Sequence, residues 1–355
     1  MSDEFVTVSV GGTNYSAFES MSVTAAFDQA ARSFDLTIAA EFGKAGTAAV
    51  FKAGAALEIR TNGDLLLKGY VDHFKPSLGP DTYTIGVSGR SKSQDAIDSS
   101  AKHKTGRIEK KDPVKIAKEV SQGINVDITT DQQLEKVEAY QVTPGETVFR
   151  CLEKMARAQG CTVTGTADGG MKVTKAGQKR HAGGLFEGRN IKVGDADHDW
   201  SNRHSEYTVK GQRAAGHGKS ALELEAIAKD SGVNRFRPII VIQRDDTDDK
   251  KIKKRAETRR DKAAGNALTA SITTQGFRDE GGMLWEPGHL VWVESASLSI
   301  AQDMIIKSVS YSQSGGSGSL ARLDLCDPRA FGGKGGKGNK SGSDWSQGSD
   351  AASDG

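Results

Sequence analysis

Phe51-Lys52-Ala53-Gly54, followed by Ala56-Leu57-Glu58-Ile59, Leu66-Leu67-Lys68-Gly69-Tyr70-Val71 and Thr82-Tyr83-Thr84-Ile85-Gly86-Val87, is a pattern that the chain writes twice. The second copy is Trp285-Glu286-Pro287-Gly288, His289-Leu290-Val291-Trp292-Val293, Met304-Ile305-Ile306-Lys307-Ser308-Val309-Ser310-Tyr311 and Leu320-Ala321-Arg322-Leu323-Asp324-Leu325. Each copy opens with an aromatic, a charge, a small residue and a glycine. Three short strand-like runs separated by turn formers follow, as in an antiparallel meander. Two copies of one sheet unit are expected.

Working outward, Phe5-Val6-Thr7-Val8-Ser9-Val10, Ser22-Val23-Thr24-Ala25-Ala26-Phe27 and Ser33-Phe34-Asp35-Leu36-Thr37-Ile38 alternate apolar and polar residues with period two. Such alternation marks half-buried antiparallel strands. With the first copy they give about six strands before Arg90, enough to close a small barrel and remove exposed edges. Sheet patterning returns at Tyr207-Thr208-Val209-Lys210-Gly211-Gln212 and Arg237-Pro238-Ile239-Ile240-Val241-Ile242, and again from Leu268 to Leu325.

Between the copies the period changes. Asp112 is placed to cap a helix begun by Pro113, where no amide hydrogen is needed, and Gly123 ends it. A second helix is expected from Thr143-Pro144-Gly145-Glu146, with Thr143 capping and an apolar stripe of Val148, Leu152, Met155 and Ala156. Cys161–Thr166 and Gly170–Lys175 pair across Ala167-Asp168-Gly169. The expected fold is a β-rich α+β protein, with two related antiparallel β-barrel domains flanking a small α/β module and a disordered C-terminal tail. The divisions fall at 1–97 for the first barrel, 98–200 for the module and 201–330 for the second barrel. That barrel carries a loop excursion at 211–235 and a basic helix at 248–267. A Gly/Ser-rich tail at 331–355 has too little apolar surface to offset the entropy of ordering.

Composition narrows the function. The 355 residues favour more than one domain, and 48 Lys plus Arg against 46 Asp plus Glu leave a formal charge of +2, too balanced to announce nucleic acid or an anionic membrane as main partner. No apolar run is long enough to span a bilayer, and the Met1-Ser2-Asp3-Glu4 start is acidic, so no signal peptide is expected. Cys151, Cys161 and Cys326 lack the spacing of a zinc or redox motif and read as buried thiols. Asp195-Ala196-Asp197-His198-Asp199 lacks the glycine turn and downstream Glu of a calcium loop and reads as a solvated linker. Gly211–Ser220 approximates a phosphate loop but has Arg213 where a glycine is needed, and the acid after Ile239–Ile242 belongs to the turn Asp245-Asp246-Thr247-Asp248-Asp249. No catalytic motif, cofactor site or metal site emerges, and the chain reads as a non-enzyme.

Lys68-Gly69-Tyr70-Val71-Asp72, Val87-Ser88-Gly89-Arg90-Ser91-Lys92-Ser93-Gln94-Asp95-Ala96-Ile97-Asp98, Arg235-Phe236-Arg237-Pro238 and Gly281-Gly282-Met283-Leu284-Trp285-Glu286-Pro287-Gly288 occur in an order that resembles a known family. It is the Mu-like baseplate hub (tail) protein family of contractile-tailed phages, related to other myophage central hubs and to the base of the type VI secretion spike. The resemblance runs to Leu323-Asp324-Leu325-Cys326-Asp327-Pro328. It implies a homotrimeric ring in which two barrels per subunit adapt a sixfold tail tube to a threefold central spike. The ring would enclose a channel through which DNA passes as non-specific cargo during genome ejection. The implied partners are further copies of the chain, the trimeric spike, the tail tube and other baseplate proteins, in a virion assembled in the bacterial host cytoplasm, with no membrane-spanning segment.

Working residues are then interface residues. Lys250, Lys253, Lys254, Arg255, Arg259 and Arg260 of the basic helix are candidates for a subunit or channel surface. Tyr70, Trp285 and Trp292, with Gly69, Gly89 and Gly288, are candidates for barrel packing, and Gly282 for backbone geometry. Two other readings stay open: a cell-wall polymer-binding role for the middle module, and a nucleotide-binding enzyme built on Gly216–Ser220.

Overall fold

The computed structural model describes residues 4–39, 50–212, 224–243 and 248–333. The phosphate-loop-like stretch at 216–220, the acidic turn at 245–247 and the tail from 334 lie outside the described residues. The chain opens with β1 (Val6–Val10), β2 (Thr13–Tyr15), β3 (Ser20–Ala26), β4 (Ser33–Ala39), β5 (Ala56–Thr61), β6 (Asp64–Leu78) and β7 (Tyr83–Ser91). Their alternation does what period two requires. Val6, Val8 and Val10 are buried while Thr7 and Ser9 face outward.

The middle unit comprises α1 (Gln94–Asp98), β8 (Arg107–Lys111), α2 (Pro113–Val120), β9 (Ile128–Thr130), β10 (Val137–Gln141), α3 (Val148–Ala158), β11 (Thr162–Gly165) and β12 (Met171–Thr174). Its own core gathers Ile116, Ile128, Leu152 and Met171. Asp112 caps α2 by accepting from the Lys115 amide at 3.0 Å. In α3 the cap is Thr147, which accepts from the Arg150 amide at 3.3 Å, and not the expected Thr143. Glu146 turns back instead to the Thr143 amide and to Tyr140 Oη, so Thr143–Glu146 forms a turn ahead of the helix.

The remainder is β13 (Arg180–Phe186), β14 (Val193–His198), β15 (Glu206–Gly211), β16 (Leu224–Lys229), β17 (Pro238–Ile242), α4 (Asp249–Asn266), β18 (Leu268–Gln275), β19 (Leu290–Ser295), β20 (Ile300–Ser314) and β21 (Gly318–Cys326). The strands β13 and β14, which the sequence groups with the middle module, pair with β19 and β18. Asp195, Asp197 and His198 therefore stand on a strand and not on a linker; the acids mark the wet face of a sheet edge. The strands β15, β16 and β17 form a separate three-stranded sheet covered by α4 through Val209, Leu224, Ile252 and Ala256.

Thirteen strands make one sheet in the order β14-β18-β21-β20-β3-β4-β7-β6-β5-β1-β2, with β19 on β20 and β13 parallel to β19. The sequence suggests two separately closed barrels. Among the described residues no ring of strands closes, because β3, where the first unit would close on itself, is hydrogen-bonded to β20 of the second. One core accordingly spans both units, with Val23, Ile59, Leu67 and Ile85 joined by Ile272, Val291, Ile306 and Tyr311.

The internal repeat is evident in the backbone. Strand order β5-β6-β7-β4-β3 matches β19-β20-β21-β18-β14. A register shift interrupts β6–β7 between Val71 and His73, and β20–β21 between Ile306 and Ser308. The Gly54 amide donates to Val71 O at 2.8 Å, and the Val71 amide to Ala55 O at 3.0 Å. In the second unit the Gly288 amide donates to Ile306 O at 2.7 Å, and the Ile306 amide to His289 O at 3.0 Å. Gly54 and Gly288 carry φ of +82° and +83°, the left-handed turn for which glycine has no Cβ penalty.

Candidate assembly surfaces

The sheet turns one face to the core and another to solvent, and the outer face is hydroxylic and acidic. On β3, Met21, Val23 and Ala25 are buried while Ser22 and Thr24 point the other way. Across the junction between repeats, Thr24 Oγ1 lies 3.0 Å from Ser310 Oγ. Farther along, Ser308 Oγ donates to Asp324 at 2.7 Å, in a groove that Asp195, Asp197 and Ser271 also line. Lys307 lines the same groove, and Arg322 donates to Ser271 at 2.8 Å and pairs with Asp324 at 3.6 Å, so the acids of this face have cations beside them.

Two polar clamps, at Arg32 and Arg278, fix one repeat on the other, and a third at His181 ties β13 to the second repeat's own loop. Arg32 is buried; its guanidinium donates to Leu66 O at 3.0 Å and to Glu286 at 2.7 Å. Arg278 reaches Glu4 at 3.0 Å and Asp64 at 2.7 Å, while the Gln313 side-chain amide donates to Glu4 O. Near the start of β13, His181 Nδ1 is 2.8 Å from Asp279 and its Nε2 accepts from the Glu286 amide at 3.1 Å. A ring that accepts at Nε2 carries its proton on Nδ1, which donates to Asp279. His289 packs beside it with centroids 5.0 Å apart, and burial pushes its pKa down to about 4.

The basic helix stands on the small sheet. Ile252 and Ala256 hold α4 to β15 and β16, and Gly265 lies against the backbone of Ala330. Lys250, Lys253, Lys254 and Arg259 are exposed. Arg255 donates to Gln243, and Arg260 pairs with Asp261 at 2.7 Å. The helix thus carries its cations away from the large sheet's core.

The packing candidates divide. Trp285 is buried in the shared core, where its carbonyl accepts from Tyr311 Oη. Trp292 is half-buried, with its indole donating to Glu294, and Tyr70 is half-buried opposite Ala56 and Arg90. A Cβ on Gly69 would lie 2.1 Å from Arg90 O, and one on Gly89 2.0 Å from Tyr70 O. Those two glycines let β6 and β7 approach at the bulge. The β3–β20 junction and the Arg32 and His181 clamps escaped the sequence reading; a lone Arg or His in a strand-rich stretch carries no spacing signal.

Chemistry is sparse among the described residues. No group of three His, Cys, Asp or Glu could hold a metal, and no helix is long and apolar enough to cross a membrane. All three cysteines are buried, and burial raises the thiols of Cys151 to about 11 and Cys326 to about 12. Such thiols stay protonated and unreactive at neutral pH.

A doubled sheet, a discrete middle unit and a fourth, helix-covered sheet match domain families of phage baseplates in chain order. Residues 5–91 match the Mu phage baseplate assembly protein GpP-like N-terminal domain, and 93–175 the second domain of baseplate hub protein gp44-like chains. Residues 203–258 match the third domain of tail protein NMB1110-like chains, and 248–334 the fourth domain of the Mu phage baseplate assembly protein GpP. Along most of its length the chain is thus built of Mu baseplate GpP-like and gp44-like domains.

Among individual relatives, it is 27% identical over 342 residues to the baseplate hub protein gp44 of Escherichia phage Mu, covering 92% of this chain and 88% of that one. The 43 kDa tail protein of prophage MuSo2 from Shewanella oneidensis superimposes with a TM-score of 0.81 at 26% identity, covering 92% and 99% of the two chains. The E. coli c3393 protein, a component of the type VI secretion system, shares the fold alone, with a TM-score of 0.53 at 10% identity over 90% of this chain and 76% of its own.

Proposed function

We propose that this chain is a structural, non-enzymatic baseplate hub of a contractile phage tail. Three copies form a ring that seats a sixfold tail tube on one side and a threefold central spike on the other, with other baseplate proteins around it. Two related barrel-like repeats per chain give three subunits six near-equivalent positions, which is what a threefold object needs to meet a sixfold cylinder. The observation that carries this reading is the matched strand order of the repeats together with their fusion into one sheet at β3–β20. The hydroxylic outer face, where Arg322 and Lys307 stand beside Asp324 and Asp195, suits a channel wall past which DNA moves as non-specific cargo, since cations matched by neighbouring carboxylates do not grip phosphates. The exposed cations of α4 face another subunit or a baseplate partner. The protein is made in the bacterial host cytoplasm and ends in the virion tail.

Measuring the solution mass of the full chain and imaging it in negative stain tests the reading. Rings of three with six lobes are the expected result. A chain that stays monomeric across micromolar concentrations, or particles of another symmetry, would overturn it.

A further inference from the structure

We infer that β14 of one subunit adds as a strand to the outer edge of residues 73–78 of β6 in the next copy, with Asp197 opposite Lys75. The inference deepens the trimeric reading above and rests on it. Its starting point is the junction inside the chain. There β3, the last strand of the first repeat, pairs with Ser308–Ser314 of β20, the long strand of the second.

The same two edges recur one repeat over, and among the described residues both are unpaired. The pairing registers align β14 with β3, because Val193 faces Thr273 as Ser20 faces Thr37. They align His73–Leu78 with Ser308–Gln313, each run starting just after the bulge. Among the described residues β14 has a neighbour only in β18, and the 73–78 stretch only in β7. Exposure follows. Val309, Tyr311 and Val23 at the internal junction are 0% exposed, whereas Leu78 is 74% and Val193 63% exposed.

Transferring the internal register sets Leu78 opposite Gly194, Pro76 opposite Ala196 and Phe74 opposite His198, by analogy with Gln313–Met21, Tyr311–Val23 and Val309–Ala25. Two of these three contacts set a large residue against a small one. On the wet face Lys75 and Asp197 take the places of Ser310 and Thr24, whose hydroxyls are 3.0 Å apart. Neither Lys75 nor Asp197 has an ion-pair partner among the described residues. A hydroxyl pair inside the chain is replaced by a charge pair between chains. Charged residues and Pro76 guard each edge against indiscriminate pairing, while opposite signs admit the right neighbour. Pro76 brings no amide hydrogen, so this ladder is weaker than the internal one and depends more on the charges. A head-to-tail contact of this kind closes into a ring when its rotation allows.

The test uses the full chain. With Lys75→Cys and Asp197→Cys combined, oxidised glutathione is expected to link subunits into a covalent trimer on non-reducing gels, since directly opposed strand residues lie within disulfide reach. In separate variants Lys75→Glu or Asp197→Lys should weaken the trimer by roughly fivefold per junction, and the double reversal should restore it. Lys75→Ser with Asp197→Thr, the residues of the internal junction, serves as a milder pair should a reversal disturb folding. A wild-type trimer that neither cross-links nor responds to the reversals overturns this junction and leaves the trimer standing. A wild-type chain that never trimerises overturns both.

Discussion

The two repeats share a hydrogen-bond frame and differ in what fills it. Both turn at a left-handed glycine, Gly54 or Gly288, and both bulge at the equivalent place, just after Val71 or Ile306. Around the bulge, however, the first repeat has Gly69 and Gly89 where the second has the buried Met304 and Leu325. The first is held by backbone contact and the second by side chains. Their edges differ as well: β3 is buried against β20, while its counterpart β14 has an open edge among the described residues. A repeated fold keeps what its backbone needs and lets the remaining positions specialise.

The largest effect expected from breaking this comparison is at Gly89. Its Cβ would fall 2.0 Å from Tyr70 O and 2.9 Å from the Phe34 ring, so Gly89→Ala is expected to cost about 3 kcal/mol or more in urea unfolding. A loss below about 1 kcal/mol would mean that β6 and β7 do not depend on this approach. The turn glycines should rank next and unequally. A Cβ on Gly288 strikes the Phe27 ring at 2.3 Å, while one on Gly54 meets nothing within 4 Å. Gly288→Ala should therefore cost about 2–3 kcal/mol and Gly54→Ala about 1 kcal/mol, the latter from backbone conformation alone. Equal losses would dissolve the distinction.

A smaller difference concerns acid. His289 occupies the position that Ala55 holds in the first repeat, and its folded pKa lies at about 4. The unfolded imidazole takes up a proton near pH 6.5 and the folded one resists. The native state is therefore fully favoured above that pH and loses stability as pH falls toward about 4. With its partial exposure taken into account, the loss assignable to His289 is about 2 kcal/mol. His289→Ala should lose less stability than the parent between pH 7 and pH 4.5, by denaturant titration at each pH. Parallel curves would refute the assignment.

Much of the fold is legible in the sequence because the meander around Leu57–Val87 repeats at Leu290–Leu325, and local turn chemistry sets those hairpins. Asp112 and Pro113 likewise mark α2. What joins the repeats is not local. Ser20–Ala26 and Ser308–Ser314 lie at opposite ends of the chain, and alternation alone says that a strand has two edges without saying what fills them. Asp195-Ala196-Asp197 reads as a linker because an exposed edge strand and a polar loop share a composition. The candidate surfaces are legible only as residue types: Trp285 in the core follows from its aromatic bulk and the α4 cations outside from their charge, whereas Lys75 and Asp197 acquire meaning only from the register of β3 on β20.

The smallest stability effect and a contrasting assembly effect are expected from α4. It differs from α2 and α3, which sink apolar faces into the middle core, because only Ile252, Ala256, Ala264 and Gly265 are buried along its eighteen residues. Lys250 and Lys253 point to solvent, and the Arg260–Asp261 pair is part-exposed, so their charges add little to folding. Reversing Lys250, Lys253 and Arg260 to Glu should change unfolding free energy by less than about 1 kcal/mol, since the helix's hold on β15 and β16 is apolar. If these cations meet another subunit or baseplate partner, the same variant should form fewer rings by sedimentation or fail to rescue tail assembly in a strain lacking the chain. Loss of rescue with intact rings would place the helix against a baseplate partner; loss of rings would place it between subunits. Normal rings with full rescue would leave it a solvated face, and the edge strands would then carry the assembly alone.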